Sequence, residues 1–304
     1  TYQNPISLPQ GIAIYPEGSL IYNDGDPSNG MQKMDFCSQP MWTKLGRFSH
    51  EIVLQEDGSR VWTIDDDRCL HQIDAQSGES LHKIEVGDIM EANPDVDILS
   101  IRRDDFTDDR WLPDFWHFND VEPLPLELAG DYLDFQPGDL LVSSRSLNAV
   151  MVIDPYTKKI KWWRVGAFSR QHDPDWQAGR KITIYDNQTR EVLAKHQPEN
   201  PKKYSRIIEL DMDTYQTDVL YDGIQDNFYS GIRGKHQFLP NGDLLITSST
   251  QGRIMIVNDQ GETVFEFFNR YNEDRVLLLS EAVWIGEDFF DFDVERKECG
   301  HNDG

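Results

Sequence analysis

The 304 residues carry 54 acidic side chains against 29 basic ones, a formal net charge of -25, with 38% hydrophobic and 11% aromatic residues. That balance excludes nucleic acid as a partner, because binding phosphates needs clustered Lys and Arg, and it disfavours an anionic membrane surface. The aromatic content argues against a disordered acidic chain, and no apolar run approaches the ~20 residues that span a bilayer.

Along the chain one pattern recurs: a Gly turn, a strand, a turn, a strand ending in Asp, a turn and a strand. The first copy, GSLIYNDGDPSNGMQKMDFCSQPMWTKLG, starts at Gly18, and the second, GSRVWTIDDDRCLHQIDAQSGESLHKIEVG, at Gly58. The clearest two open Gly138-Asp139-Leu140-Leu141-Val142-Ser143-Ser144 and Gly242-Asp243-Leu244-Leu245-Ile246-Thr247-Ser248. Between them GRKITIYDN starts at Gly179 and resumes, after an insertion, as YSRIIELDMDTYQTDVLYDG. Val, Ile, Met and Leu alternate with polar residues, the period of half-buried strands. With a fourth strand before each Gly turn, every copy makes one propeller blade.

A sixth, partial blade is read in VLLLSEAVWIGEDFFDFDV (Val276–Val294), closed by an outermost strand from Thr1–Pro9. The expectation is therefore an all-β, six-bladed β-propeller occupying residues 1–304 as a single domain. No helix is strongly signalled. The acidic runs Asp65-Asp66-Asp67 and Asp104–Asp109 read as solvated turns. Cys37, Cys69 and Cys299 have no metal-like spacing. Cys37 and Cys69 can pair in an oxidising compartment, or all three remain thiols.

A His precedes the Gly turn in four copies: His50, His117, His172 and His236. Inner strands of a propeller line its axis, so four His at one register would converge there. A single inner-strand His is more often a packed residue than a catalyst. The repeated register raises the catalytic reading without settling it, because repeats also reuse packing residues.

Around these residues stand Trp116-His117-Phe118-Asn119-Asp120, then the Gly138–Ser144 blade with Arg145. Gln171-His172-Asp173, Asp186-Asn187 and Tyr204-Ser205-Arg206 follow. This ordered series, from about Trp111 to Phe267, resembles the bacterial arylsulfotransferase family. The resemblance implies a six-bladed propeller of the periplasm or the extracellular space, with any membrane anchor supplied by a segment outside this chain. It implies sulfuryl transfer from a phenolic sulfate ester to a phenol through a sulfated histidine, with no nucleotide donor, no cofactor and no metal. His117, His172 and Arg206 take the positions of catalytic residues. His236 is proposed as the nucleophile, and Asn119, Trp116, Phe118 and Arg145 as the substrate contacts. Trp176 and Phe228 add aromatic faces for an aryl ring.

The chemistry is coherent. Neutral imidazole can attack sulfur, a second His can manage the phenol proton, and an Arg fork can hold the sulfuryl oxygens. The partner is then a small aryl sulfate or phenol. Two other classes stay open. One is a metal enzyme ligated by the four His. The other is a non-catalytic scaffold propeller with a protein partner in an envelope assembly.

Overall fold

The computed structural model describes residues 10–66, 68–96, 116–189, 203–291 and Cys299. Five four-stranded antiparallel sheets are arranged around a central channel. In chain order they are β1–β4 (Gly11–Ile14, Leu20–Asn23, Met31–Met34, Pro40–Lys44) and β5–β8 (Phe48–Leu54, Arg60–Asp65, Cys69–Asp74, Ser80–Glu85). Next come β9–β12 (Phe118–Pro123, Leu140–Ser144, Ala149–Ile153, Ile160–Val165) and β13–β16 (His172–Gln177, Lys181–Asp186, Arg206–Asp211, Thr217–Asp222). The last is β17–β20 (Lys235–Phe238, Leu244–Ser248, Arg253–Val257, Thr263–Phe268).

The repeats explain the blades directly. Each of the five Gly turns opens the hairpin between a first and a second strand, with positive φ at Gly18, Gly58, Gly138, Gly179 and Gly242. The residue closing the third strand caps the next turn through its side chain. Asp74 accepts from the Gln76 and Ser77 amides, Asp154 from Tyr156 and Thr157, and Asp211 from Asp213 and Thr214.

Alternation along each strand feeds two different interfaces. Leu140 and Val142 pack toward the second blade with Trp62, Ile64 and Leu70, whereas Leu141 packs toward the fourth with Ile182, Ile184 and Ile208. Similar apolar cores join blades one and two, and four and five. Burial is complete on β10, β11 and β18 and falls away on the outer strands β4 and β20.

The propeller therefore has five blades, not six. All four strands of the first blade come from Gly11–Lys44, so its outermost strand is β4 (Pro40–Lys44). Thr1–Pro9 lies outside the described residues. The stretch read as a sixth blade forms only an isolated bridge, Arg270 with Val276, among its described residues. Its Gly286 opens a short turn, with the Phe289 amide donating to Gly286 O, but no strand pairs across it among the described residues. It runs instead as a strap across the seam between the fifth and first blades. The Leu279 amide donates to Ser249 O, Ala282 to Thr247 Oγ1, Trp284 to Gln237 Oε1 and Asp291 to Pro16 O.

Two further departures are local. A seven-residue helix, α1 (Val86–Ala92), follows β8, started by a capping box between Glu85 and Asp88. Its Gly and Val residues hide it from a propensity reading. Cys37, in the β3–β4 turn, is disulfide-bonded to Cys299 and not to Cys69, so Cys299 is tied to the first blade. Cys69 is a buried free thiol on β7, raised in pKa to about 11 chiefly by burial. The Asp104–Asp109 run, Asp67 and most of the Asp186–Lys203 insertion lie outside the described residues.

Candidate functional site

The first strand of each blade lines the channel, and irregularities on these strands aim its side chains. The β5–β6 register shifts between Ser49 and Ile52, and the β13–β14 register between His172 and Pro174. The β9–β10 register shifts opposite Ser143 and Ser144. His50, His117, Asp173 and Arg233 all sit at positive φ, an uncommon region for residues other than Gly. Such bulges twist the strand and re-aim side chains. Here they send neighbouring residues to opposite ends of the channel.

One end is basic. His50, His117 and His172 gather around a cavity of about 340 Å³ with Arg47, Arg145 and Arg233. The His50 and His117 rings meet edge to face at 5.1 Å, and His50 and His172 are 6.4 Å apart. Burial, helped by His117 and the two arginines Arg233 and Arg145, holds His50 well below the usual imidazole range. His172 is pushed down to about 3, first by burial and then by His50.

The hydrogen bonds of His172 agree with a neutral ring. Its Nδ1 lies 2.8 Å from Asn187 Oδ1 and 3.1 Å from Arg170 O, so Nδ1 carries the proton and donates it. Its Nε2 accepts the Arg233 amide at 3.1 Å. The lone pair a nucleophile would use is therefore engaged, and His172 serves to position Arg233. Asn187 is fixed in turn by donating to Ser230 O and Arg233 O, and the Ser205 hydroxyl closes the same buried network.

Arg233 is the group that sequence reasoning missed. Its guanidinium is pushed down in pKa by burial, yet an arginine stays charged. It donates to Ser280 Oγ at 3.0 Å, and among the described residues no carboxylate lies within salt-bridge distance of it. The only available signal was its place in Arg233-Gly234-Lys235-His236, where the fifth blade offers Arg in the position that other blades fill with His. Gly234 itself is required, because a Cβ there would come within 2.3 Å of the Tyr185 ring.

The other predicted residues fall elsewhere. Arg206 opens β15 and donates Nε to the fully buried Asp186 Oδ2 at 2.7 Å and Nη2 to Ala167 O. It does not line the basic cavity. Trp116 and Phe118 pack against each other at 5.8 Å in the core between blades two and three. Phe228 lies in the core between blades four and five. Asn119 donates to Gln171 O at 2.8 Å, stapling blade three to blade four.

His236 lies on an innermost strand as well, but it faces the opposite end. There a cavity of about 850 Å³ is lined by Glu51, Glu122, Asp173, Asp175, Lys235, His236, Trp176 and Glu281. The Lys235 ammonium bridges Glu51 and Asp173, and His236 Nδ1 donates to Asp173 Oδ2 at 2.8 Å. Burial raises Asp173, but Lys235 and His236 outweigh it and hold the carboxyl below its usual range. Glu122 and Glu281 are pushed up to about 8, first by burial. Asp120 and Asp175 also rise, burial again leading.

The fold is shared widely. A protein of unknown function from Bacteroides caccae aligns at TM-score 0.54 and 11% identity, over 85% of this chain and 80% of that one. Regucalcin, a calcium-binding protein from Agrobacterium tumefaciens, aligns at 0.52 and 12%, over 87% and 75%. Virginiamycin B lyase from Staphylococcus aureus aligns at 0.50 and 11%, over 87% and 71%. At such identities the likeness speaks for the propeller alone. No curated protein matches the sequence. Residues 32–270 match the arylsulfotransferase (ASST) family, a span that begins in β3 of the first blade and takes in the other four blades whole, so the chain belongs to that family.

Proposed function

We propose that the basic cavity binds the sulfuryl group of a phenolic sulfate ester and transfers it to a second phenol. The observation that carries this reading is Arg233, a partly buried guanidinium with no carboxylate counter-ion among the described residues, facing a cavity shared with Arg145 and three imidazoles. A desolvated cation without a partner is costly to maintain unless an anion completes it.

In this mechanism the neutral His50 ring attacks sulfur. The N–S bond forms as the S–O(aryl) bond breaks, and the electron pair leaves on the phenolate oxygen. His117, in edge contact with His50, supplies the proton to that oxygen and later takes one from the acceptor phenol, which attacks the sulfuryl-imidazole. Arg145 and Arg233 hold the sulfuryl oxygens, where negative charge resides throughout a loose transition state. His236 is a poor nucleophile for this ester, because its ring lies among carboxylates that repel a sulfate. The Cys37–Cys299 disulfide supports a periplasmic or extracellular location, where disulfides persist.

Release of 4-nitrophenolate from 4-nitrophenyl sulfate in the presence of phenol tests the reading, alongside calorimetric binding of sulfate. Arg233→Ala is expected to weaken sulfate binding at least tenfold and to lower turnover with it. Unchanged sulfate affinity in that variant removes the basis for an anion site here.

A further inference from the structure

Several buried polar atoms at the acidic end, Glu281 Oε1 among them, have no hydrogen-bond partner among the described residues. His236 is 5% exposed, and its Nε2 has no hydrogen-bond partner among the described residues. Asp120, 2% exposed, leaves Oδ1 in the same condition. The His236 tautomer is fixed, since Nδ1 carries the proton that goes to Asp173 Oδ2 at 2.8 Å. In the neutral ring Nε2 then carries the lone pair, and it lies 3.3 Å from the carboxylate oxygen Asp175 Oδ2. Two lone pairs facing each other at that distance repel unless something positive lies between them.

We propose that a divalent first-row transition ion of the zinc type binds between His236 Nε2 and Asp175 Oδ2. Ligands about 2.1 Å from such an ion, at a near-tetrahedral angle, stand roughly 3.4 Å apart, which is the spacing found here. Ligand atoms of Asp173, Asp175 and His236 all lie within 4.8 Å of one another. Asp173 is better placed to orient than to ligate. Its Oδ2 takes both the His236 amide and Nδ1, and its Oδ1 takes Lys235. A carboxylate gripping the far nitrogen of a ligating imidazole is the common second layer of a metal site. The imidazole selects against Ca²⁺ and Mg²⁺, which prefer oxygen donors only.

Lys235 gives its one positive charge to Glu51 and Asp173, and among the described residues no Lys or Arg pairs with Asp175. The ion would also clip two blades together, because Asp175 is on β13 and His236 on β17. This inference does not depend on sulfuryl transfer, which belongs to the opposite mouth of the channel.

The test uses the full chain, stripped with a chelator and dialysed, then titrated separately with Zn²⁺ and Ca²⁺ while metal content and thermal midpoint are followed. The expected result is about one tightly held Zn²⁺ per chain with a midpoint several degrees higher, and no comparable effect from Ca²⁺. Asp175→Asn, a change at a partly exposed position, is expected to lose at least tenfold in Zn²⁺ affinity and most of the midpoint shift. His236→Gln should behave alike if it folds, and the Asp175→Asn result stands by itself if it does not. Equal Zn²⁺ affinity in wild type and Asp175→Asn, or equal stabilisation by Ca²⁺ and Zn²⁺, overturns the proposal.

Discussion

The two ends of the channel are built from the same strands and have opposite chemistry. His50 faces the basic cavity while Glu51, the next residue, faces the acidic one. His172 and Asp173 divide in the same way, as do Arg233 and Lys235 across Gly234. Each division coincides with a bulge or a residue at positive φ. Overall charge is therefore a poor guide to a local site. A chain of net charge -25 makes a cavity of three His and three Arg by directing neighbouring acids to the far mouth. The difference also shows in how charge is balanced. At the acidic end the fold supplies Lys235 as an internal counter-ion, whereas Arg233 at the basic end is given no carboxylate among the described residues.

The most severe way to break this contrast is to remove Asp173, which holds Lys235 and both the amide and ring of His236. Stripping one member from a buried charged cluster costs about 3–5 kcal/mol. Asp173→Ala is expected to lose stability on that scale in chemical denaturation. A loss under about 1 kcal/mol would mean that Glu51 alone satisfies Lys235 and that the acidic end is not organised around Asp173.

Much of this arrangement is legible in the sequence, and the exceptions have physical causes. The five Gly turns mark the five blades because each needs positive φ. The sixth blade is an expectation from hydrophobic and acidic residues in Val276–Val294, but these residues form no strand ladder among the described residues and run as a strap held by single hydrogen bonds to blades one and five. His50, His117 and His172 converge where a shared register would put them. His236 precedes its Gly turn by a similar distance yet faces the other mouth, because the β17–β18 register runs unbroken while the inner strands of blades two, three and four are shifted. A bulge leaves no dependable mark in a single sequence. Arg206 was more accessible to reasoning, since Asp186 sits directly opposite it across β14 and β15.

pH sharpens the comparison, because the two ends respond with opposite sign. His172 falls from 6.5 to about 3 on folding, so the folded state binds fewer protons than the unfolded chain between those values. Its stabilising effect is complete above pH 6.5 and is lost as pH falls, on the order of 2 kcal/mol by pH 5. Glu281 rises from 4.5 to about 8, so the folded state binds more protons across that interval, and stability declines as pH climbs through it. The expected profile is a maximum between the two limbs. In urea titrations across pH, His172→Gln should flatten the acid limb and Glu281→Gln the alkaline limb. A variant that flattened the opposite limb would show that the two ends are not electrostatically separate.

The smallest effect expected is at Arg206, and it separates family likeness from local geometry. If Arg206 gripped the sulfuryl oxygens as a planar fork, replacing it with lysine would remove the paired donors and cost at least tenfold in anion affinity. In the structure its Nε is bound to Asp186, and its Nη2 to Ala167 O. Asp186 also accepts the Ser169 and Gln188 amides. Lysine at this position keeps the charge opposite Asp186 and loses the contact with Ala167, worth about 1 kcal/mol of stability. Arg206→Lys is therefore expected to bind sulfate within about twofold of wild type while melting slightly earlier. A tenfold fall in sulfate affinity at unchanged stability would reverse the assignment, returning Arg206 to the site and requiring the Asp186 pair to open when the anion binds.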